Sequence, residues 1–283
     1  MKNIAYIGIG SMAEAIISGI IARGGVNPTQ IRVANKSNQE RLAYVQQQYG
    51  VHGYTSLEAA LTNADVVFLA VKPKDVLAAL SAARPYLTEN MLLISVAAGV
   101  NLANLENIID KKMAIVRAMP NTSAAVGLSA TALSANSLIG TGQLQLAIDL
   151  FSSIGTVSVV EENKLNAVTG LSGSGPAYIY YVVEAMEKSA QELGLDSDTA
   201  KQLIIQTIQG AAEMLNQSPK TPATLRKEVT SPGGTTEAGL KVLDDYQVKS
   251  AFISCIEEAT KQAKRMGDEI SKDINKEISS LNF

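Results

Sequence analysis

An apolar strand pattern, Asn3–Ile7, runs straight into Gly8-Ile9-Gly10-Ser11-Met12-Ala13, and an amphipathic helical pattern from Ser11 to Gly24 follows without a break. This order constrains the chain more than any other feature. A G-x-G-x-x-A run means little alone and much between a strand and a helix. Gly8 permits the tight turn, Gly10 lets the backbone approach a pyrophosphate, and small Ala13 lets the helix pack close to the strand. The N–H groups at the helix start, around Ser11 and Met12, then face the phosphates together with Ile9. The competing explanation is a glycine turn that holds no ligand.

The first half of the chain continues the same alternation. Strand patterns are expected at Asn3–Ile7, Ile31–Ala34, Val66–Val71, Leu92–Val96, Ala114–Arg117, Leu128–Leu133 and Thr156–Val160. Helices are expected to begin near Ser11, Ser37, Leu57, Lys74, Leu102 and Gly140. Val66-Val67-Phe68-Leu69-Ala70-Val71 is apolar throughout, as a parallel strand covered on both faces must be. The expected fold is therefore an α/β, Rossmann-type doubly wound domain over residues 1–160. From about Glu162 the strand patterns give way to helical ones over 162–193, 197–216, 221–229, 235–245 and 248–280, with breaks at Pro219, Pro222 and Pro232-Gly233-Gly234. Residues 161–283 are thus expected to form an all-α domain. Its apolar stripe Ile204, Ile208, Ala211, Ala212, Leu215 suits core packing within one chain and a partner subunit equally well.

Bulk properties exclude several functions. A chain of 283 residues with formal net charge −3 has no basic surplus for binding nucleic acid. Cys255, the single cysteine, rules out an intrachain disulfide and any multi-cysteine metal site, and its apolar surroundings suggest a buried thiol. No metal site is expected. No apolar run reaches the roughly 18 residues that span a bilayer, and the N-terminus lacks a signal-peptide pattern. A cytoplasmic protein without membrane partners is the expectation.

The end of the second strand reads Ala34-Asn35-Lys36-Ser37, without the carboxylate that holds an NAD ribose 2′-hydroxyl. Asn35, Lys36 and Ser37 suit a 2′-phosphate instead, so NADPH is expected, with NADH possible. Later strand ends supply Ala70-Val71-Lys72-Pro73, Ala97-Ala98-Gly99 and Met119-Pro120-Asn121-Thr122. Ligands of open α/β sheets lie outside those ends, which makes Lys72 and Asn121 cofactor candidates. Lys72 could equally be a solvated lysine before a turn proline.

Two glycine-rich segments break the helical half. Thr169-Gly170-Leu171-Ser172-Gly173-Ser174-Gly175-Pro176-Ala177-Tyr178 falls inside an otherwise helical pattern, where each glycine costs about 1 kcal/mol relative to alanine. Close backbone approach to a cofactor or neighbouring element is a reason to keep them. Thr230-Ser231-Pro232-Gly233-Gly234-Thr235-Thr236 precedes the helix Glu237–Asp244, and amides at a helix start beside hydroxyls form a carboxylate site. A Pro-Gly-Gly turn with a threonine cap explains the same residues without a ligand.

Taken in order, Gly8–Ala13, Phe68–Pro73, Ala97-Ala98-Gly99-Val100, Met119–Thr122, Val168–Tyr178 and Ser231–Thr236 resemble the motifs of the pyrroline-5-carboxylate reductases over essentially the full length. The resemblance implies reduction of Δ1-pyrroline-5-carboxylate to L-proline, the last step of proline synthesis, by a homodimer or larger homo-oligomer. In such an assembly each active site joins one subunit's cofactor domain to the other's Ser231–Thr236 loop. The family pattern assigns Ser231, Gly233, Gly234, Thr235 and Thr236, with Ser174 and Gly175, to the substrate. Thr236 lies beside the ring nitrogen and is the catalytic candidate. Relatives often carry an asparagine near Ser56, so that cofactor contact is altered here. No histidine or carboxylate acid stands in the substrate motifs, and His52, the one histidine, is expected to be structural or exposed. The imine would bind as its iminium ion, or take a proton through Thr236 and water. A β-hydroxyacid dehydrogenase shares the plan, and Gly170, Gly173 and Gly175 fit its glycines, but its catalytic lysine position is Ile179. A reductase of another small cyclic imine, or a nucleotide-sensing relative without turnover, are the remaining alternatives.

Overall fold

The computed structural model of the chain describes residues 2–35 and 38–281. Its strands are β1 (Ile4–Ile7), β2 (Ile31–Ala34), β3 (His52–Tyr54), β4 (Val66–Leu69), β5 (Leu92–Ser95), β6 (Ala114–Met119), β7 (Ser129–Ala135) and β8 (Gly155–Val159). They form one eight-stranded sheet in the order β3-β2-β1-β4-β5-β6-β7-β8. Every neighbouring pair is parallel except β6 with β7. The first six strands have the doubly wound order, with the topological switch at β1 and β4.

Side-chain alternation shows why the sheet is covered on both faces. Ile4, Tyr6, Val66, Phe68, Leu92, Ile94 and Val116 enter one core. Their neighbours Ala5, Ile7, Val67, Leu69, Leu93 and Ile115 enter the other. A Leu, Ile or Phe fully removed from water contributes about 1.5–3 kcal/mol, so strands buried on both faces anchor the fold. On one face lie α1 (Ser11–Ala22), α2 (Gln39–Tyr49) and α6 (Thr141–Phe151). On the other lie α3 (Leu57–Leu61), α4 (Val76–Ala83) and α5 (Leu102–Ile109).

The remaining helices are α7 (Leu165–Val168), α8 (Gly175–Glu192), α9 (Ser197–Gln217), α10 (Pro222–Glu228), α11 (Thr235–Asp245) and α12 (Val248–Leu281). The helical pattern expected over 162–193 is not one helix. A 3-10 turn and α7 lead into a π-helical turn, Thr169–Gly173, before α8 begins. The glycines lower the cost of that wider turn, and π turns of this kind recur at functional sites. His52–Tyr54, absent from the expected strands, pairs with β2 at the sheet edge. It carries no apolar run because half-exposed edge residues need none.

Compact packing divides the chain into Met1–Ser174 with Glu258–Phe283, and Gly175–Glu257. The boundary expected at 160/161 is a division by element type. Packing follows a different line because Ile270, Ile274 and Ile278 of α12 join the second sheet core. In the helical unit, α8 and α9 bury Ala190, Ala200 and Ile204, while Leu203, Met214 and Leu215 stay exposed. Of the stripe read from the sequence, Ile204 is buried and Ala211, Ala212 and Leu215 are not. The buried thiol expected at Cys255 is corrected as well. Cys255 is exposed and lines an apolar concavity of about 530 Å³ with Tyr178, Tyr181, Tyr246 and Phe252. Burial there would need a covering surface that a single chain does not supply.

Candidate active site

Strand register brings the expected cofactor loops into one row. Ile7 pairs with Ala34 and with Leu69, Leu69 with Ser95, and Ser95 with Arg117. The carboxyl ends of β2, β1, β4 and β5 therefore finish side by side, followed by β6. Gly8 donates its N–H to Ala34 O at 3.0 Å and turns with φ +92°. A Cβ at Gly8 would lie 2.7 Å from Ala70 O and 2.8 Å from Val71 Cγ1. Gly10 is extended at φ −77°, begins α1 with no side-chain cap, and offers a Cβ nothing within 4 Å. Uncapped helix N–H groups behind an open glycine are what a pyrophosphate requires, so these residues fit a dinucleotide.

A cluster that sequence reading missed lies behind this loop. Glu14 stands in the first turn of α1, where a negative charge would oppose a phosphate. Arg41 of α2 pairs with the Glu14 carboxylate, and the Tyr49 hydroxyl donates to it at 2.9 Å. Burial and this bond to Glu14 push the Tyr49 phenol above its ordinary value. The Arg41 guanidinium also lies 5.2 Å over the Tyr44 ring. No local pattern joins residues 14, 41 and 49, so only the fold could show the pairing.

At the end of β2, Asn35 donates its N–H to Tyr54 O at 3.2 Å and accepts from Asn38 N–H at 3.3 Å. Lys36 and Ser37 lie outside the described residues. The Ser56 hydroxyl caps α3 by accepting from Ala59 N–H at 3.4 Å. Lys72 is exposed at the head of the turn Pro73–Asp75. Ala97 is buried and donates to Ser95 Oγ at 3.3 Å, and Gly99 closes its loop at φ +79°.

Asn121, 8% exposed, is committed to the protein. Its Oδ1 accepts from Ser123 N–H at 3.2 Å and its Nδ2 donates to Ser172 O at 3.0 Å. That second bond ties the loop after β6 to the π turn, and Ser174 N–H closes the turn on Thr169 O at 2.9 Å. Asn121 and Ser174, singled out for different roles, thus belong to one knot. Gly175 opens α8, and His52 is exposed on β3.

In the helical unit, Ser231–Gly234 turns directly into α11. Gly233 donates to Glu237 Oε2 at 2.7 Å, and Gly234 donates to Ser231 O at 3.0 Å. Of the amides expected to hold the carboxylate, those of Gly234, Thr235 and Thr236, the first is therefore used by the turn itself. Among the described residues the Thr235 and Thr236 amides have no acceptor, and they head a helix with no side-chain cap. The role of Glu237 was also missed, although its place three residues after Gly234 is the capping-box spacing. Among the described residues no group of histidine, cysteine and carboxylate side chains could hold a metal ion. Nor is any helix there long and apolar enough to cross a membrane.

Comparison with known proteins agrees with this arrangement. Residues 162–266 match the family described as pyrroline-5-carboxylate reductase dimerisation, and residues 3–99 match NADP oxidoreductase coenzyme F420-dependent. The chain is 45% identical over 271 residues to pyrroline-5-carboxylate reductase 2 of Bacillus subtilis, covering 96% of this chain and 97% of that protein. It is 36% identical to the pyrroline-5-carboxylate reductase of Arabidopsis thaliana, covering 93% and 95%. Among solved structures, a pyrroline-5-carboxylate reductase from Coxiella burnetii superposes with TM-score 0.87 at 39% identity, covering 94% and 98%. That of Plasmodium falciparum with NADP bound superposes with TM-score 0.85 at 28% identity, covering 94% and 98%. A doubly wound nucleotide frame, a helical half and matches over nearly the whole length lead to one conclusion: the chain belongs to the pyrroline-5-carboxylate reductase family.

Proposed function

We propose that this chain reduces Δ1-pyrroline-5-carboxylate to L-proline, the imine carbon receiving a hydride from bound NADPH in preference to NADH. The observation that carries the reading is that one chain holds both an open glycine loop at the head of α1 and uncapped Thr235 and Thr236 amides at the head of α11.

In this reading Gly8–Ala13 hold the pyrophosphate, and Asn35, Lys36 and Ser37 receive the 2′-phosphate. Ser56, Ala70–Pro73, Ala97–Gly99 and Asn121 border the rest of the dinucleotide, Asn121 by holding its loop. The Thr235 and Thr236 amides, with the Ser231 hydroxyl, bind the substrate carboxylate, while Gly233 and Gly234 shape the turn. Ser174 and Gly175 border the substrate from the π turn. The Thr236 hydroxyl sits beside the ring nitrogen, which arrives protonated as the iminium or takes its proton through Thr236 and water. Much of the rate then comes from positioning. The exposed apolar residues of the helical unit suit a homodimer or larger homo-oligomer, in which residues 161–283 act as the dimerisation domain and 1–160 as the nucleotide domain. The protein works in the cytoplasm.

The test follows NADPH and NADH absorbance with purified protein and fresh pyrroline-5-carboxylate. Proline formation, faster with NADPH, is the expected result. Folded protein that binds NADPH without turning over would refute the substrate assignment, and turnover of a different cyclic imine would redirect it.

A further inference from the structure

The family matches cover residues 3–99 and 162–266, so the end of α12 belongs to neither. Yet that end is built into the nucleotide unit. Ile274, 4% exposed, is part of the core beneath β5, with Ile270 and Ile278 against it. One turn earlier the backbones nearly touch. A Cβ on Gly267 would lie 3.1 Å from Gly99 O, and one on Gly99 would lie 3.4 Å from Gly267 Cα and 3.2 Å from Ile270 Cδ1. Ser271 makes the polar link. Its Oγ accepts from Asn104 Nδ2 at 2.7 Å and from Asn101 Nδ2 at 3.3 Å, and donates to Gly267 O at 2.8 Å. Asn101 caps α5 through Asn104 N–H at 2.7 Å, and Asn104 is 3% exposed.

We infer that Gly267 and Ser271 are positioning residues for dinucleotide binding, holding the Ala97–Asn101 loop at its working depth from behind. The inference rests on the reading that Ala97–Gly99 border the dinucleotide. A loop turning at φ +79° between a strand and a helix has little regular hydrogen bonding of its own to hold it. Here a second backbone meets it at van der Waals distance, and one hydroxyl bonds both asparagines that start the following helix. A side chain at 267 would push the Gly99 backbone away by a few tenths of an ångström. Both residues act through the loop they hold, so their effect falls on cofactor affinity and not on the imine.

The experiment compares Ser271→Ala, Ser271→Thr and Gly267→Val in the full chain. It measures NADPH affinity by fluorescence titration without substrate, KM for each substrate, and the ligand-free melting temperature. Ser271→Ala is expected to raise the NADPH dissociation constant and KM by about three- to tenfold, the scale of a lost buried hydrogen bond. The imine KM stays within about twofold under the same reasoning, and Ser271→Thr restores binding. Gly267→Val weakens binding further. A lowered melting temperature with wild-type NADPH affinity in Ser271→Ala would overturn the inference and leave a purely structural contact. A wild-type chain that bound no dinucleotide would overturn the site reading itself, and this inference with it.

Discussion

Substituting alanine at Gly10 and at Gly8 separates what the glycine loop does for folding from what it does for binding. At Gly8 the native φ is +92°, which costs a side-chain-bearing residue about 1–2 kcal/mol. The new methyl also meets Ala70 O at 2.7 Å and Val71 Cγ1 at 2.8 Å, and a shift of that packed strand end adds about 1–3 kcal/mol. Gly8→Ala should therefore lose about 2–5 kcal/mol, seen as a melting temperature lower by roughly 4–20 °C. At Gly10 the backbone is ordinary and the space open. Alanine is a poorer N-cap by about 0.5–1 kcal/mol, and a stiffer unfolded chain returns about 0.4–1 kcal/mol. Gly10→Ala should melt like the wild type. It should nonetheless bind NADPH at least about tenfold more weakly, or 1.4 kcal/mol, because the methyl occupies the pyrophosphate's approach. Paired thermal melts and fluorescence titrations read both quantities. Gly10→Ala with wild-type affinity would refute the close approach, and Gly8→Ala with wild-type melting would refute the strain.

Three further outcomes follow from single side chains. Thr236→Ala should lower kcat by about tenfold or more while folding normally, and steady-state rates that match the wild type would remove the hydroxyl from the mechanism. Tyr6 is fully buried against Phe68, and its hydroxyl has no partner among the described residues. Tyr6→Phe should thus raise stability by up to about 1–3 kcal/mol in denaturant titrations, and a clear loss would mean that the hydroxyl is satisfied. Burial pushes the Asp65 carboxyl up, but Asn3 N–H at 2.8 Å and Lys2 Nζ at 3.0 Å outweigh it and hold it below the usual carboxylate value. A lowered folded pKa stabilises above the unfolded value near about 4 and is lost as pH falls through the folded one. Asp65→Asn should accordingly flatten the acid limb of melting temperature against pH, and an unchanged limb would assign it elsewhere.

What the sequence discloses of this molecule follows the range of its interactions. The sheet half is legible because its signals are local: Val66–Leu69 is buried on both faces and must be continuously apolar, and Gly8–Ala13 performs its turn within six residues. His52–Tyr54 escapes because an edge strand is specified by its neighbour β2 and not by its own composition. Asn121 reads as a ligand contact, yet its side chain bonds Ser172 O, 51 residues away, and Ser271 meets Asn101 across 170. No periodicity records such pairs. The helical half is ambiguous for another reason. Ile204, Ile208 and Leu215 have the same spacing whether they face their own chain or a second one, and hydrophobic burial does not depend on which chain supplies the cover. Exposure in the folded chain divides them, burying Ile204 and leaving Leu215 uncovered. The substrate turn falls between these cases. Its capping-box spacing, Gly234 to Glu237, is written in the sequence, but only the fold shows Glu237 taking the Gly233 amide and Ser231 O the Gly234 amide. Those two bonds narrow the proposed carboxylate site to Thr235 and Thr236, whose amides the helix cannot satisfy by itself.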